Sequence, residues 1–227
     1  MIIGIHQPQY LPWTPYFLKI LKCDLFIILD TVSFQKNGIQ NRNKIMTPNG
    51  DTWLTVPVSK KDQSKIINTE IDNSKDWKKK HLMTINQSYS KSRFLSKYIK
   101  DLESIYEKDW ENLSELNNSI IRLILGWMEI KTEIIHSSDL EIKGNGSRLI
   151  FNLCKHFNAE TYLSGVGGKE YLNINDFEQS GIEISFLEPC LPSTYHQVNS
   201  KNNFRNDLSV IDLLFNCGDN WINYVDV

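Results

Sequence analysis

The chain has 227 residues, 41% of them hydrophobic, with 25 Lys and Arg against 27 Asp and Glu. It can bury a sizeable core, and its formal charge of −2 gives no electrostatic reason to bind nucleic acid or an anionic membrane. No apolar run is long enough to span a bilayer, no leader follows Met1, and Cys23, Cys154, Cys190 and Cys217 form no CxxC pair; the expected setting is a reducing cytoplasm.

In chain order, Ile2–Ile5 reads as a buried strand that runs into the loop His6-Gln7-Pro8-Gln9-Tyr10-Leu11-Pro12-Trp13. Thr14-Pro15 then opens a helix to Leu21, with Thr14 as N-cap and Pro15 at its first position. Leu25–Leu29 is a second buried strand, so the first thirty residues form a β-α-β unit suited to a parallel sheet. Thr31–Asn43 reads as a polar loop, Lys44–Met46 and Thr52–Val58 as a hairpin around Thr47-Pro48-Asn49-Gly50, and Lys60–Lys65 as a charged surface loop. Asp76–Gln87, Arg93–Tyr106 and the apolar face Leu113, Leu116, Ile120, Leu123, Ile124 and Trp127 mark three helices. Alternation then resumes with a strand at Glu133–Ile135, a helix at Arg148–Phe157, a strand at Thr161–Leu163, another at Ile182–Phe186 after the helix-ending Gly181, and a last helix at Leu208–Phe215. The pattern predicts one α/β domain over residues 1–227, with a mainly parallel sheet, flanking helices and a helical insertion or cap near residues 74–130.

Two strand-to-loop junctions carry the candidate chemistry. His6 follows directly on the first strand, where it either ties the loop down or acts as a general base or as a donor to an oxyanion. Gln7, Tyr10, Trp13 and Tyr16 stand beside it as pocket-lining candidates, and Trp13 and Tyr16 suit core positions equally well. Asp30, just past the second strand, either orients His6 and takes a proton or caps the following turn. Gln35, Lys36, Asn41, Arg42 and Asn43 bring amides and cations together, suited to sugar hydroxyls and phosphates. At the other junction Ser164-Gly165-Val166-Gly167-Gly168-Lys169 offers bare backbone N–H groups and a cation, with Ser164, Gly165, Gly167, Gly168 and Lys169 as anion-binding candidates; a tight turn without a ligand is the alternative. The run matches neither a P-loop nor a dinucleotide fingerprint, and the histidines show no metal-ligand spacing, so no metal is expected. His6, Asp30, Asn41, Arg42 and the Gly165–Lys169 turn are expected to meet at the carboxyl edge of the sheet.

The runs His6–Trp13, Gln40–Ile45, Trp53–Val58, Ser137–Leu140, Tyr162–Gly165 and Leu208–Gly218 together resemble the WbqC-like family, in order and over nearly the whole chain. The resemblance implies a setting among bacterial surface-polysaccharide (O-antigen) genes, and transfer of glycyl or another acyl group to the amine of a nucleotide-linked deoxyaminosugar. It implies no tightly bound cofactor; the donor would be a thioester on coenzyme A or on an acyl or peptidyl carrier protein, or an adenylate made from ATP. His6 and Asp30 would be the catalytic pair. The family pattern carries a second acidic residue and a Gln where this chain has Thr31 and Ser33, which leaves Asp30 as the lone carboxylate. A strand followed by a His-containing loop also resembles nucleotidyltransferase-type folds, so an adenylating ligase is an alternative. A sugar- or carrier-binding accessory protein, docking through Lys78-Lys79-Lys80, is another.

Overall fold

The structure, a computed structural model, describes residues 1–59, 65–201 and 203–226. Five parallel strands form the central sheet in the order β5-β2-β1-β6-β7: Ile2–His6 (β1), Leu25–Ile28 (β2), Glu133–His136 (β5), Thr161–Gly165 (β6) and Glu183–Leu187 (β7). This is the α/β fold the alternation predicts. Side chains on a strand point alternately to either face, and both faces of this sheet are apolar. Ile3, Ile5, Leu25 and Ile27 enter one core, which is completed by Leu149, Ile150 and Leu153 of Gly146–His156 (α5) and by Phe177 of Ile174–Gln179 (α6). Phe26 and Ile28 enter the other, which is completed by Thr14–Leu21 (α1), the helical block and Val210–Cys217 (α7). Gly4 allows the second core to close. A Cβ there would lie 2.5 Å from Cys23 Sγ and 2.9 Å from Phe26.

The helical block comprises Trp77–Ser88 (α2), Leu95–Glu107 (α3) and Leu113–Trp127 (α4). Leu113, Leu116, Ile120 and Ile124 recur at helical spacing and are fully buried, and Asn112 caps α4 by accepting from the Ser114 and Glu115 amides. Arg42–Thr47 (β3) and Gly50–Thr55 (β4) form a separate antiparallel hairpin, with Gly50 at φ +105° closing the turn.

Two local expectations need correction. The strand of the hairpin starts earlier than its apolar residues indicate, because Arg42 and Asn43 pair with Thr55 and Leu54; both are strand residues and not loop residues. Thr14 is the first residue of α1, not its cap. Trp13 holds the cap position without a side-chain hydrogen bond. The helix that Gly181 is expected to end is α6, with Gly181 at φ +71° just past its cap. The charged loop expected at Lys60–Lys65 lies, except for Lys65, outside the described residues. Among the described residues no helix is long and apolar enough to cross a membrane.

Candidate functional site

The chain connects β1 to β2 and β5 on one side, then returns to place β6 and β7 on the other. The direction of winding therefore reverses between β1 and β6. At such a point the loops leave their neighbouring strands in opposite directions and open a crevice at the carboxyl ends. Pairing between the two strands runs from Ile2 with Thr161 to Gly4 with Leu163. His6 and Ser164–Gly165 lie beyond the last of these pairs.

Two hollows that share residues occupy this position. One, of about 370 Å³, is lined by Ile5, His6, Gln7, Lys19, Ser164, Gly165, Gly167 and Tyr171 among others. The second, of about 270 Å³, is lined by Trp13, Tyr16, Val166, Leu187 and Pro189, and again by His6, Lys19, Gly165 and Gly167. A Cβ built on Gly165 or Gly167 meets no atom within 4 Å, so neither glycine is needed for packing. Gly168 differs: a Cβ there would strike Ser164 Oγ at 2.1 Å and Leu172 at 2.9 Å, so its missing side chain makes room for Ser164.

His6 Nδ1 lies 3.1 Å from the Gln7 carbonyl oxygen. A carbonyl only accepts, so that contact favours hydrogen on Nδ1 and a free Nε2 lone pair; the Gln9 amide, a donor 3.5 Å from Nδ1, favours the opposite tautomer, and the shorter contact decides. The ring also stands edge-on to Tyr16, with centroids 5.3 Å apart. Burial, and then the nearby Lys19 ammonium, push its pKa down to about 4, so His6 is neutral at physiological pH.

Lys19 is the functional candidate that sequence reasoning missed. It sits in an apolar helix where every residue from Thr14 to Ile20 is buried, and it is itself only 5% exposed. Its Nζ donates to the Ile5 carbonyl at 2.8 Å. Among the described residues no carboxylate lies within ion-pair distance of it. Burial lowers its pKa to about 8. The signal available in the sequence was a lone cation inside an otherwise apolar helix.

The other predicted residues are dispersed. Asp30, 2% exposed, accepts from Ser137 Oγ at 2.8 Å, Ser138 N at 3.0 Å and Ser138 Oγ at 2.7 Å. These bonds engage both carboxylate oxygens, with His136 Nδ1 3.9 Å from Oδ2, and tie the end of β2 to the turn after β5, so Asp30 is a clamp and not the orienter of His6. Tyr10 is fully buried and bonds His81 and Tyr106 of the helical block, which takes it out of the pocket. Asn43 is likewise committed, donating to the Leu11 carbonyl at 2.6 Å and accepting from Lys44 N at 2.8 Å. Asn41 donates to the Val56 carbonyl and, with Lys36, lines a different hollow beside Trp77 and His81. Arg42 stacks on the Trp53 ring at 4.3 Å. Gln35 is exposed, and its backbone N–H is held by the Gln40 side chain. Lys169 leaves the turn to lie over Phe186 and near Glu188. The cleft thus gathers His6, Gln7, Trp13, Tyr16, Ser164, Gly165, Gly167 and Gly168, adds Lys19, and is lined by neither Arg42 nor Asn41.

Gln40 Nε2 donates to Gln7 Oε1 at 2.6 Å, and the Tyr10 N–H donates to the Ile39 carbonyl. The amide-rich segment therefore braces the His6 loop from behind. A match to the WbqC-like protein family extends over residues 7–224. The chain belongs to this family. The WbqC-like span takes in Lys19 and the Ser164–Gly168 turn, and begins one residue after His6. A relative in Mycobacterium tuberculosis, described as an uncharacterized protein, is 33% identical over 219 residues, covering 95% of this chain and 94% of its own. No solved structure matches the chain.

Proposed function

We propose that this WbqC-like protein is an enzyme that transfers an acyl group to the amine of a nucleotide-linked deoxyaminosugar, in the cytoplasm, for surface-polysaccharide synthesis. The observation that carries the reading is a neutral imidazole, with Nε2 free, at the winding switch between β1 and β6. Family membership supports the reaction class. The acyl group arrives activated, as a thioester on coenzyme A or a carrier protein, or as an adenylate made from ATP.

In this reaction the sugar amine attacks the acyl carbonyl, a new C–N bond forms, and the bond from carbon to the leaving group breaks. His6 Nε2 takes the proton that the nitrogen sheds, and the leaving group or solvent receives it afterwards. A base with a pKa near 4 is too weak to strip a free ammonium. The amine must therefore enter uncharged and give up its proton only as the C–N bond makes it acidic. The open backbone at Gly165 and Gly167 leaves room for the acceptor to approach.

The test is mass spectrometry of nucleotide aminosugars incubated with acyl thioesters, or with ATP and free acids. General-base assistance contributes ~10²–10⁴-fold, so His6→Ala is expected to lower turnover by about that factor while the melting curve keeps its cooperativity. Release of free thiol identifies a thioester donor, and release of AMP identifies an adenylate. A His6→Ala variant as active as wild type removes His6 from the chemistry, and failure to acylate any amino sugar favours the accessory-binding alternative.

A further inference from the structure

Two features that are distant in the sequence, the amide-and-cation run before β3 and the lysine-rich start of α2, meet at one hollow of about 460 Å³. It shares no lining residue with the His6 cleft. Lys36, Lys75 and Lys80 line it, and no Asp or Glu does. Among the described residues none of these lysines has a carboxylate within ion-pair distance. Lys78, in the same run, is spent on Asp109 at 3.0 Å. Asp72, whose carboxylate feels Lys75 from farther away, is engaged by the Ser74 amide and hydroxyl. The helix adds to the imbalance. Its first turn holds no acidic residue, and Asp76 at the cap position makes no side-chain bond to it, so the positive end of the helix dipole is left beside the lysines. Like charges gathered at that end cost stability, and an anion in the hollow would relieve them. The supports are fixed: Lys36 stands in a turn closed by the Gly38 amide on the Gln35 carbonyl at 2.9 Å, and Trp77, 3% exposed, anchors the start of α2 through Nε1 on Asn73 Oδ1 at 3.2 Å.

We propose that this hollow binds the diphosphate of a nucleotide, with Lys36, Lys75 and Lys80 supplying the charge around the phosphate oxygens. The charge balance selects the ligand. A diphosphate spreads several negative charges over neighbouring oxygens, whereas a carboxylate brings one. Lysines on long flexible stems act as movable point charges, which suits oxygens that point in several directions. The concavity has the volume of a small-molecule site, which favours a nucleotide over the flat acidic face of a protein. Pro57 and Val58, both half-buried, give the nucleoside an uncharged wall. Nucleotide sugars and coenzyme A both carry a nucleoside diphosphate, so one chemistry serves either source. The inference goes beyond the acyl-transfer reading and does not rest on it, because binding is measured without turnover.

Isothermal titration of the full chain with UDP and with coenzyme A tests the site, with uridine, adenosine and a poly-glutamate peptide as comparison probes. One or both nucleotides are expected to bind saturably, at least about ten-fold more tightly than the nucleosides, and to weaken as salt rises. Each of Lys36→Gln, Lys75→Gln and Lys80→Gln should weaken binding by about two- to five-fold, and the triple variant by about ten-fold or more. Lys79→Gln, on the same helix but outside the hollow, should leave the affinity unchanged. All four side chains are exposed, so melting curves should match wild type and exclude unfolding as the cause. The tighter of the two nucleotides shows whether the hollow serves the acceptor or the donor. Binding of neither nucleotide, nucleosides that bind as tightly, or a triple variant with wild-type affinity would overturn the assignment. Capture of poly-glutamate without either nucleotide would overturn it in favour of an acidic protein partner. Lysine-dependent nucleotide binding without any aminosugar acylation leaves this site standing and removes the transfer reading. Acylation by a chain that shows no such binding does the reverse.

Discussion

Three basic side chains, His6, His81 and Lys19, have lowered pKa values and share one sign on titration. His6 and His81 both have pKa values pushed down to about 4 by burial, so the unfolded chain takes up their protons first as pH falls. Between pH 6.5 and 4 the unfolded state binds more protons than the folded one, and stability must fall with pH across that window, by a few kcal/mol for the pair. Lys19 obeys the same sign at the alkaline end. Its depressed value, about 8 against 10.5, makes stability rise with pH between those values as the buried charge is shed. Denaturant midpoints measured from pH 4 to 10 check both slopes, and Lys19→Met should abolish the alkaline one. The Asp30 clamp is a separate case. Asp30→Ala strands the Ser138 hydroxyl and amide, while Ser137 Oγ keeps the amides of residues 30 and 31 and the Thr31 hydroxyl, so a loss of about 2 kcal/mol is expected from equilibrium unfolding.

At the level of elements, two glycines that look alike in the sequence behave differently. Gly4→Ala pushes a methyl into Cys23 and Phe26 between β1 and α1, and overpacking of that kind costs about 1–3 kcal/mol. Gly167→Ala meets open space and should leave stability within about 0.5 kcal/mol of wild type. Thermal melts of the two variants check the contrast. The parallel strands and the three block helices were legible because apolar periodicity depends on near neighbours alone. The strand start at Arg42 was not, since it depends on pairing with Thr55; α6 is too short to show a period, and only the glycine that ends it, Gly181, marked it. The candidate site divides in the same way. Its position at the ends of β1 and β6 was readable from two strand-to-loop junctions. Which residues face inward was not, because the partners are remote: Tyr10 meets Tyr106, Asp30 meets Ser137, and Gln7 meets Gln40. Amides and carboxylates that resembled ligand-reading groups are occupied by the protein's own backbone and turns.

The molecule as a whole is fastened by contacts that link its earliest and latest parts. The Val210 amide donates to the Pro12 carbonyl at 2.9 Å, the Ser209 amide to the Lys44 carbonyl at 2.9 Å, and Trp13 bridges Ser209. Phe94 N–H of the helical block donates to the Phe215 carbonyl of α7 at 3.0 Å. A chain ending at Leu208 is therefore expected to lose cooperative melting and to be cut rapidly by protease; a sharp transition retained by that truncation would contradict the arrangement. The same threading sets an order in time. A ribosome delivers β1 and its histidine first, yet the wall opposite, at Ser164 and Gly165, emerges more than a hundred residues later, and the brace on Pro12 later still. Until then the nascent β1 has an apolar edge with only β2 to cover it. Translation and assembly are thus coupled, and the cleft has both its walls only once most of the message has been read.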